Sequence, residues 1–272
     1  MKKNKNTLLI TGAIDISNYA VPFVKITNLQ ERLQQYLDSL DYAINHYSKV
    51  DYIVFCENTN YSYDYSDLQK KAEKKGKKLE VLTFKGDYEN IQKKGKGYGE
   101  GEIIKYALNH SAILAQSNCF YKLTGRVCVA NFDKIIRTTP FENAFVFSPW
   151  FEREFKRYTR TSFYKASIPF YKQNLMDAYL EVDDNQGKYL EHVFYDKLSK
   201  TPIKSFKLFP NLIGITGSSR ELYAFPKKEM FKNKLFARLG FLDNYQTMKQ
   251  KIWLQIHQIY VKTKKALFFF QK

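Results

Sequence analysis

The first half of the chain alternates between short, continuous apolar runs and longer segments with an apolar residue at every third or fourth position. Continuous apolar runs are typical of strands buried on both faces, and the longer spacing is typical of amphipathic helices. This order predicts an α/β fold, a Rossmann-type sandwich with a mostly parallel central sheet. The predicted strands span 7–14, 51–58, 78–84 and 119–129, and the predicted helices span 29–47, 67–77 and 100–117.

The second half has a less regular pattern. Residues 143–151 indicate a further strand, 167–182 and 188–200 indicate helices, and 206–219 indicate a loop-rich, partly extended segment. The last part of the chain predicts a long basic helix.

Positive charge is concentrated in this last part. The 272 residues include 44 Lys and Arg against 27 Asp and Glu, which gives a net charge of +17 at pH 7. Residues 225–272 hold eleven of the basic residues and only two acidic ones. Such an excess indicates an anionic partner: a nucleic acid, a phosphorylated small molecule or an acidic membrane face.

The final segment predicts a basic amphipathic helix. Apolar residues from Ile252 to Phe270 fall on one broad stripe, and Lys251, Lys262 and Lys265 lie largely opposite. This pattern is typical of a helix that docks on an anionic membrane surface, and packing on the domain is the alternative. No stretch reaches the ~20 apolar residues of a membrane span, no signal peptide is apparent, and the three cysteines are scattered. We therefore expect a cytoplasmic protein that is peripheral on the inner face of the cytoplasmic membrane.

Four glycines lie at alternate positions between the third strand and the next helix, at Gly95, Gly97, Gly99 and Gly101. Glycine lets the backbone approach a ligand closely, and a helix N-terminus favours phosphate. The segment lacks the Gly-Lys-Ser/Thr ending of a Walker loop and the spacing of a dinucleotide fingerprint. It is either a phosphate- or sugar-facing loop or a mobile surface loop.

The fourth predicted strand carries two cations, Lys122 and Arg126, an even number of positions apart. Residues with even spacing in a strand lie on the same face. Either one cation pairs with a carboxylate such as Glu57, or both point into a ligand cleft and neutralise a diphosphate, with Gly125 clearing space. We favour the second interpretation, because an unpaired buried cation is costly unless it serves an anion.

The segment 188–200 predicts a helix that turns Leu190, Val193 and Phe194 toward the core. Glu191 and His192 lie at its start, where a carboxylate that faces a cleft can act as a general base. The alternative is an exposed glutamate beside a half-buried histidine.

Five motifs occur in a fixed order: Arg32-x-x-Gln35-Tyr36 in the first helix, "FCEN" at the end of the second strand, "GKGYGEGEII", "FYKLTGR" and "YLEHVFYDKL". Together they resemble bacterial GT-A-type glycosyltransferases of capsule and lipopolysaccharide clusters, over roughly residues 7–225. The resemblance implies one domain at 1–225, with a donor half at about 1–135 and an acceptor half at about 136–225, followed by a helical tail at 226–272.

The resemblance also implies a function and a site. The expected activity is transfer of a sugar from a nucleotide-sugar donor to a glycan or lipid-linked glycan of the cell surface. Glu191 is implied as the base of an inverting transfer, with His192 orienting it or touching the phosphates. The residues implied at the donor and its phosphates are Thr11, Gly12, Glu57, Asn58, Lys96, Gly97, Gly99, Glu100, Lys122, Thr124, Gly125 and Arg126.

Most GT-A enzymes carry an Asp-x-Asp metal site at the end of the fourth strand, where this chain has Lys122 to Arg126. The departure favours transfer without a metal, because two cations can replace a divalent ion at the leaving diphosphate. No metal ligand is therefore assigned, and Mn²⁺ or Mg²⁺ is the less favoured alternative. Asp64, Asp67 and the pair Asp183–Asp184 remain possible metal ligands, but none lies where the family pattern places one.

Two other classes of function stay open. The net charge and the many aromatic residues would suit a nucleic-acid-binding α/β protein. The aromatic residues follow the core periodicity, however, so we expect no nucleic-acid partner. The second alternative is a non-catalytic, membrane-associated scaffold of glycan assembly.

Overall fold

The structure is a computed structural model that describes residues 5–17, 25–149, 151, 157–214, 226–245, 251–252 and 255. In this part of the chain, five strands form a central sheet and two short strands form a separate pair. The strands are β1 (Thr7–Gly12), β2 (Tyr52–Glu57), β3 (Lys78–Thr83), β4 (Cys119–Thr124), β5 (Val127–Val129), β6 (Phe163–Ser167) and β7 (Leu212–Gly214).

The central sheet has the strand order β3-β2-β1-β4-β6. Strands β1 to β4 are parallel, and β6 pairs with β4 in the antiparallel sense. The separate pair is β5 with β7, also antiparallel. The four parallel strands point the same way, so their last residues lie on one side of the sheet, which we call the carboxyl edge. These residues are Gly12, Glu57, Thr83 and Thr124.

Helices cover both faces of this sheet. Two 3₁₀ helices, Ala178–Glu181 and Asp184–Gln186, lie in the second half. The α-helices of the described residues are α1 (Leu29–His46), α2 (Ser66–Lys74), α3 (Tyr88–Lys94), α4 (Lys96–His110), α5 (Ala112–Ala115), α6 (Phe132–Thr138), α7 (Ile168–Asn174), α8 (Leu190–Leu198) and α9 (Lys227–Leu239).

The sheet separates two apolar clusters. Leu8 and Ile10 of β1 pack with residues of α1 and α6, while Leu9 packs on the other face with residues of α4, α7 and α8. All three side chains are fully buried. Burial on both faces explains why the parallel strands are apolar throughout, and the predicted sandwich with a mostly parallel sheet is confirmed.

The segment predicted as one fourth strand, 119–129, is instead two strands. β4 ends at Thr124, Gly125 and Arg126 form a turn, and β5 continues into the separate pair. Arg126 has a φ of 69°, in the left-handed region. The prediction that Lys122 and Arg126 share one strand face is therefore wrong, because the turn interrupts the alternation of the side chains.

Other boundaries also differ from the sequence-based prediction. The helix predicted at 100–117 begins at Lys96 and is broken at Ser111, whose hydroxyl accepts a hydrogen bond from the Leu114 amide and so caps α5. The strand predicted at 143–151 forms only isolated bridges among its described residues, and the helix predicted at 167–182 ends at Asn174. Strand β6 was not predicted.

The described part of the predicted tail includes α9 and the turn that follows it. α9 ends at Leu239. Gly240 follows with a φ of 76°, and Phe241 and Leu242 then return to the protein interior. The Phe147 amide donates to the Leu242 carbonyl at 3.1 Å. The rest of the predicted basic helix lies almost entirely outside the described residues. Among those that are described, no helix is both long and apolar enough to cross a membrane.

Candidate donor and catalytic site

Glu57 ties together the loops at the carboxyl edge. One of its carboxylate oxygens accepts the Thr59 amide at 2.8 Å and the Thr59 hydroxyl at 2.5 Å, and the other accepts the Tyr61 amide at 3.0 Å and the Thr83 hydroxyl. The Thr59 hydroxyl also accepts the Asp15 amide at 3.1 Å, which links the loop after β1. A carboxylate has about four lone-pair positions, and all are used within the chain. Glu57, predicted to bind the donor, instead fixes the loops at the carboxyl edge.

Asn58 is also buried, and it contacts other residues of the protein. Its carbonyl accepts the Gly86 amide at 2.9 Å, and its side chain bonds to the carboxylate of Glu102. Burial raises the pKa of Glu102 above its ordinary value. A Cβ placed on Gly99 would lie 3.2 Å from the Asn58 side-chain nitrogen, so Asn58 packs directly against α4.

The glycine-rich segment is part of α4 and not a loop before it. A Cβ on Gly97 would lie 3.1 Å from a Val182 methyl group, and a Cβ on Gly101 would overlap the Tyr179 side chain. These glycines let the 3₁₀ segment of the second half pack closely on the helix. The prediction of a ligand-facing glycine loop is corrected at these two positions, because side chains of the protein occupy the space.

Lys96, at the N-terminus of α4, belongs to the segment that was expected to be either a phosphate- or sugar-facing loop or a mobile surface loop. The carboxylate of Asp184 lies at this N-terminus: it accepts the Gly97 amide at 3.3 Å, and a Cβ on Gly95 would overlap it. Asp184 is buried, and burial raises the pKa of its carboxyl group. A carboxylate at a helix N-terminus satisfies the same free amides that a phosphate would.

Lys122 is the centre of a second buried network. Its side chain is fully buried, and its ammonium donates to the Glu100 carboxylate, to the Thr124 hydroxyl at 2.7 Å and to the Thr161 carbonyl at 2.8 Å. The Thr161 hydroxyl donates to the Glu191 carboxylate at 2.7 Å. We call Glu100, Lys122, Thr124, Thr161 and Glu191 the acid–lysine cluster.

This cluster joins four parts of the chain: α4, the end of β4, the segment before β6, and the start of α8. Burial lowers the pKa of Lys122, and the adjacent Glu100 carboxylate opposes that shift. An ammonium has three donors, and all three are used here. Lys122 therefore has no donor left for a diphosphate, which corrects the prediction of a direct phosphate contact.

Glu100 and Glu191 are the acidic members of the cluster, and both are partly exposed. The side chain of Glu100 keeps 22% of its surface exposed. One oxygen of Glu191 is held by Thr161, and its backbone carbonyl accepts the Thr159 amide at 3.0 Å. Neighbouring His192 turns its Nδ1 toward the Gly187 carbonyl at 3.1 Å, so its ring is oriented by the loop before α8.

Gly125 and Arg126 lie beside α1 at the ends of β1 and β4. The Gly125 amide donates to the Thr11 carbonyl at 2.8 Å, and a Cβ on Gly125 would lie only 2.5 Å from the Tyr36 ring. A Cβ on Gly12 would overlap the Phe55 ring. Both glycines therefore make room for aromatic side chains of the core, which corrects the prediction that Gly125 clears space for a ligand.

Arg126 differs from Lys122 in that one of its donors has no acceptor in the described part of the chain. One terminal nitrogen donates to the Gln35 side-chain oxygen at 3.3 Å, and the guanidinium lies 5.5 Å from the centre of the Tyr36 ring. Its Nε is buried and has no hydrogen-bond partner in the described part of the chain. The left-handed backbone at Arg126 is uncommon for a residue with a side chain, and such conformations concentrate at functional sites.

The sequence did not identify Arg32 as a site residue. It is buried at the start of α1, and its Nε donates to the Ala13 and Ile14 carbonyls at 3.1 and 3.0 Å. Another guanidinium nitrogen donates to the Ile26 carbonyl at 2.9 Å. Burial lowers the pKa of Arg32. The sequence does indicate that Arg32 is buried, because it lies on the apolar stripe of α1. An arginine on such a stripe needs acceptors within the protein.

The donor set at the end of β4 does not fit a divalent cation. The Thr124 hydroxyl and the Glu100 carboxylate are already bonded to Lys122, and Arg126 adds a second positive charge. Hard divalent ions need several oxygen ligands and few competing cations. Among the described residues, no group of three or more His, Cys, Asp or Glu side chains is placed to hold a metal. We therefore derive no step through a metal ion.

The geometry can be compared with known structures. The mannosyltransferase Ktr4p from S. cerevisiae, solved in complex with GDP, matches with a TM-score of 0.50 at 13% identity, covering 91% of this chain and 84% of that chain. The fold is that of the GT-A nucleotide-sugar transferases.

Two further structures are similar. Core-mannan synthase A from Aspergillus fumigatus, in an Mn/GDP form, matches with a TM-score of 0.45 at 10% identity, covering 88% of this chain and 86% of that chain. The glycosyltransferase GlyE from Streptococcus pneumoniae gives a TM-score of 0.45 at 8% identity over 73% of this chain. The match spans 43% of the length of GlyE. No protein-family model matches the sequence, and no curated protein matches it either.

Proposed function

We propose that the protein is a glycosyltransferase that moves a sugar from a nucleotide-sugar donor to an acceptor hydroxyl. The observation that carries this proposal is the acid–lysine cluster beside the carboxyl edge of a GT-A fold. Open α/β sheets bind ligands outside that edge. The cluster brings one partly exposed carboxylate from each half of the domain to it, Glu100 from α4 and Glu191 from α8.

Glu191 is the proposed general base. Thr161 holds one of its oxygens at 2.7 Å, which orients the carboxylate and leaves the second oxygen to take the proton of the acceptor hydroxyl. Removal of that proton as the hydroxyl attacks would invert the anomeric carbon. His192 is proposed as a neighbour whose ring is fixed by Gly187.

The departing nucleoside diphosphate needs positive charge beside it. Arg126 is the proposed donor of that charge, because its guanidinium presents a fork that matches phosphate oxygens. Lys122 acts through other residues. Its ammonium donates to Glu100 and to the Thr161 carbonyl, and the Thr161 hydroxyl donates to Glu191. In this proposal Lys122 is a positioning residue.

For the acceptor we propose a lipid-linked polysaccharide or lipopolysaccharide of the cell surface, assembled at the cytoplasmic face of the membrane. The support is the motif resemblance together with the net charge of +17, which suits an acceptor held at an anionic surface.

The first experiment is a thermal-shift screen with UDP, GDP and CDP and their sugars, in Mn²⁺ and in EDTA. We expect one nucleoside diphosphate to raise Tm selectively, since a ligand that binds only the folded state stabilises it. A parallel assay follows release of that diphosphate from its sugar nucleotide. If no sugar nucleotide shifts Tm and none is turned over, the proposed function is wrong. Release of pyrophosphate from a nucleoside triphosphate and a sugar phosphate would indicate nucleotidyl transfer instead.

The second experiment tests the base. Glu191→Gln keeps the size and the hydrogen bond to Thr161 but removes the basic oxygen, so we expect kcat to fall by about 10²–10⁴-fold with Tm retained. The matched control is Glu73→Gln on the exposed face of α2, which should leave turnover unchanged. Near-native turnover by Glu191→Gln would remove Glu191 from the mechanism without affecting the proposed donor class.

A further inference from the structure

The outer face of α9 carries an exposed apolar stripe. Phe231, Leu235 and Leu239 are 72%, 41% and 42% exposed. They are spaced four residues apart, so each lies about 40° around the helix axis from the one before. The three side chains therefore form one continuous row on the outside of the protein, which we call the α9 stripe.

The opposite face of α9 attaches the helix to the domain. Ala237 is buried there, and Met230 and Phe236 pack against the apolar cluster on the α1 side of the sheet. The chain then turns at Gly240, and Phe241 packs against the Phe236 ring with 5.4 Å between ring centres. The inner face thus attaches α9 to the core.

Basic residues flank the α9 stripe on both sides. Lys234 and Arg238 lie along one flank and Lys228 and Lys232 along the other, and all four are exposed. Lys227 lies in line with the row, one turn before Phe231. Glu229 is the acidic residue of the helix, and it lies on the far side from the stripe. The helix therefore presents an apolar row between two rows of positive charge.

We propose that α9 docks in the plane of a membrane surface that contains anionic lipid. The α9 stripe enters the boundary between headgroups and acyl chains, and the flanking lysines stay at the level of the lipid phosphates. Charge complementarity selects this occupant. A second copy docked on the same stripe would bring two sets of these cations together, and so would the chain's own basic C-terminal segment.

The test is co-sedimentation of the full-length protein with vesicles of phosphatidylcholine alone and of phosphatidylcholine with about one third phosphatidylglycerol. We expect binding to the anionic vesicles that weakens as salt is raised. The double variant Phe231→Ser with Leu235→Ser should bind at least roughly tenfold more weakly than the native protein, because it removes two large side chains from the boundary. The matched control is Leu180→Ser, which changes a leucine of similar exposure (46%) on a different element and should bind like the native protein.

Each outcome has a defined meaning. If the double variant binds vesicles as well as the native protein does, the proposal is wrong. Any membrane affinity would then belong to another segment. Equal binding to neutral and anionic vesicles would overturn the charge argument. If the native protein ignores vesicles and is a dimer that the double variant makes monomeric, the stripe is an interface between copies and the proposal is wrong. None of these results depends on sugar transfer, so they are independent of the proposed function.

Discussion

Replacement of Lys122 by methionine tests whether the acid–lysine cluster holds the two halves of the domain together. Methionine has a similar length and suits an apolar site, so the variant removes the charge and three hydrogen bonds while largely filling the space. The Glu100 carboxylate loses its ion partner, and the buried Thr161 carbonyl loses the Lys122 donor.

The size of the effect follows from these contacts. A charge-assisted hydrogen bond contributes about 1.5–3 kcal/mol, and a buried carbonyl left without a donor costs about 1–3 kcal/mol. The side chain of Glu100 is 22% exposed, so water reaches part of it. The free energy lost with the ion pair is therefore at the lower end of the first range. We therefore expect Lys122→Met to lower the free energy of unfolding by about 3–4 kcal/mol, a large share of the ~5–15 kcal/mol of an ordinary domain.

The assay is urea unfolding followed by circular dichroism, with a double-mutant cycle between Lys122→Met and Glu100→Gln. The two side chains are in direct contact, so we expect a coupling free energy of about 1–3 kcal/mol. The control is Lys165→Met, which removes a half-buried lysine of the neighbouring strand that forms no ion pair among the described residues, and it should cost less than ~1 kcal/mol. A coupling below ~0.5 kcal/mol, or equal effects of the two lysine variants, would refute the reasoning.

Three further variants test other parts of the structure. Gly125→Ala places a methyl group against the Thr11 carbonyl and the Tyr36 ring, and should lower the free energy of unfolding by about 1–3 kcal/mol in urea unfolding. Arg126→Gln should weaken binding of the selected nucleoside diphosphate roughly tenfold or more by calorimetry, with unchanged Tm; equal affinity would remove Arg126 from the donor site. Burial raises the pKa of Asp243 from 3.8 to about 6, so the folded state holds the proton more tightly and native stability falls as pH rises between these values. Asp243→Asn should abolish this pH dependence, which a shift of this size puts at about 3 kcal/mol, and a matching pH profile in the variant would count against the prediction.

The sequence predicted the sheet well because its parallel strands are apolar on both faces. The residues from Leu8 to Ile10 and from Ile53 to Phe55 are all buried, so the pattern and the burial agree. It failed at Gly125 and Arg126, because two residues of turn between two apolar strands leave the apolar pattern almost unbroken. The backbone conformation of Arg126, with φ at 69°, has no signature in a pattern of apolar and polar residues.

The candidate site was predicted only in part, for a different physical reason. The sequence identified Glu100, Lys122 and Glu191 as separate site residues, but their contacts join segments that are far apart in the chain. Asp184 was considered in connection with a metal, and its contact at the N-terminus of α4 depends on the fold of the second half. Contacts between distant segments depend on three-dimensional packing, which periodicity alone does not specify.

Lys122 shows that a buried cation in a strand can be paired within the protein. A lysine inside a strand was interpreted as a ligand for phosphate because an unpaired buried charge is costly. The cost is real, but a carboxylate on the covering helix removes it as effectively as a ligand does, and Glu100 of α4 lies over that face of β4. Glu57 is likewise paired within the protein: at the end of β2 it accepts hydrogen bonds that hold the loops after β2 and β3. Two buried charges thus fix the loops at the carboxyl edge before any ligand enters, and Arg126 keeps one guanidinium nitrogen without an acceptor among the described residues. In the proposed function, this preorganised edge with Arg126 beside it would stabilise the charge that develops as a diphosphate departs.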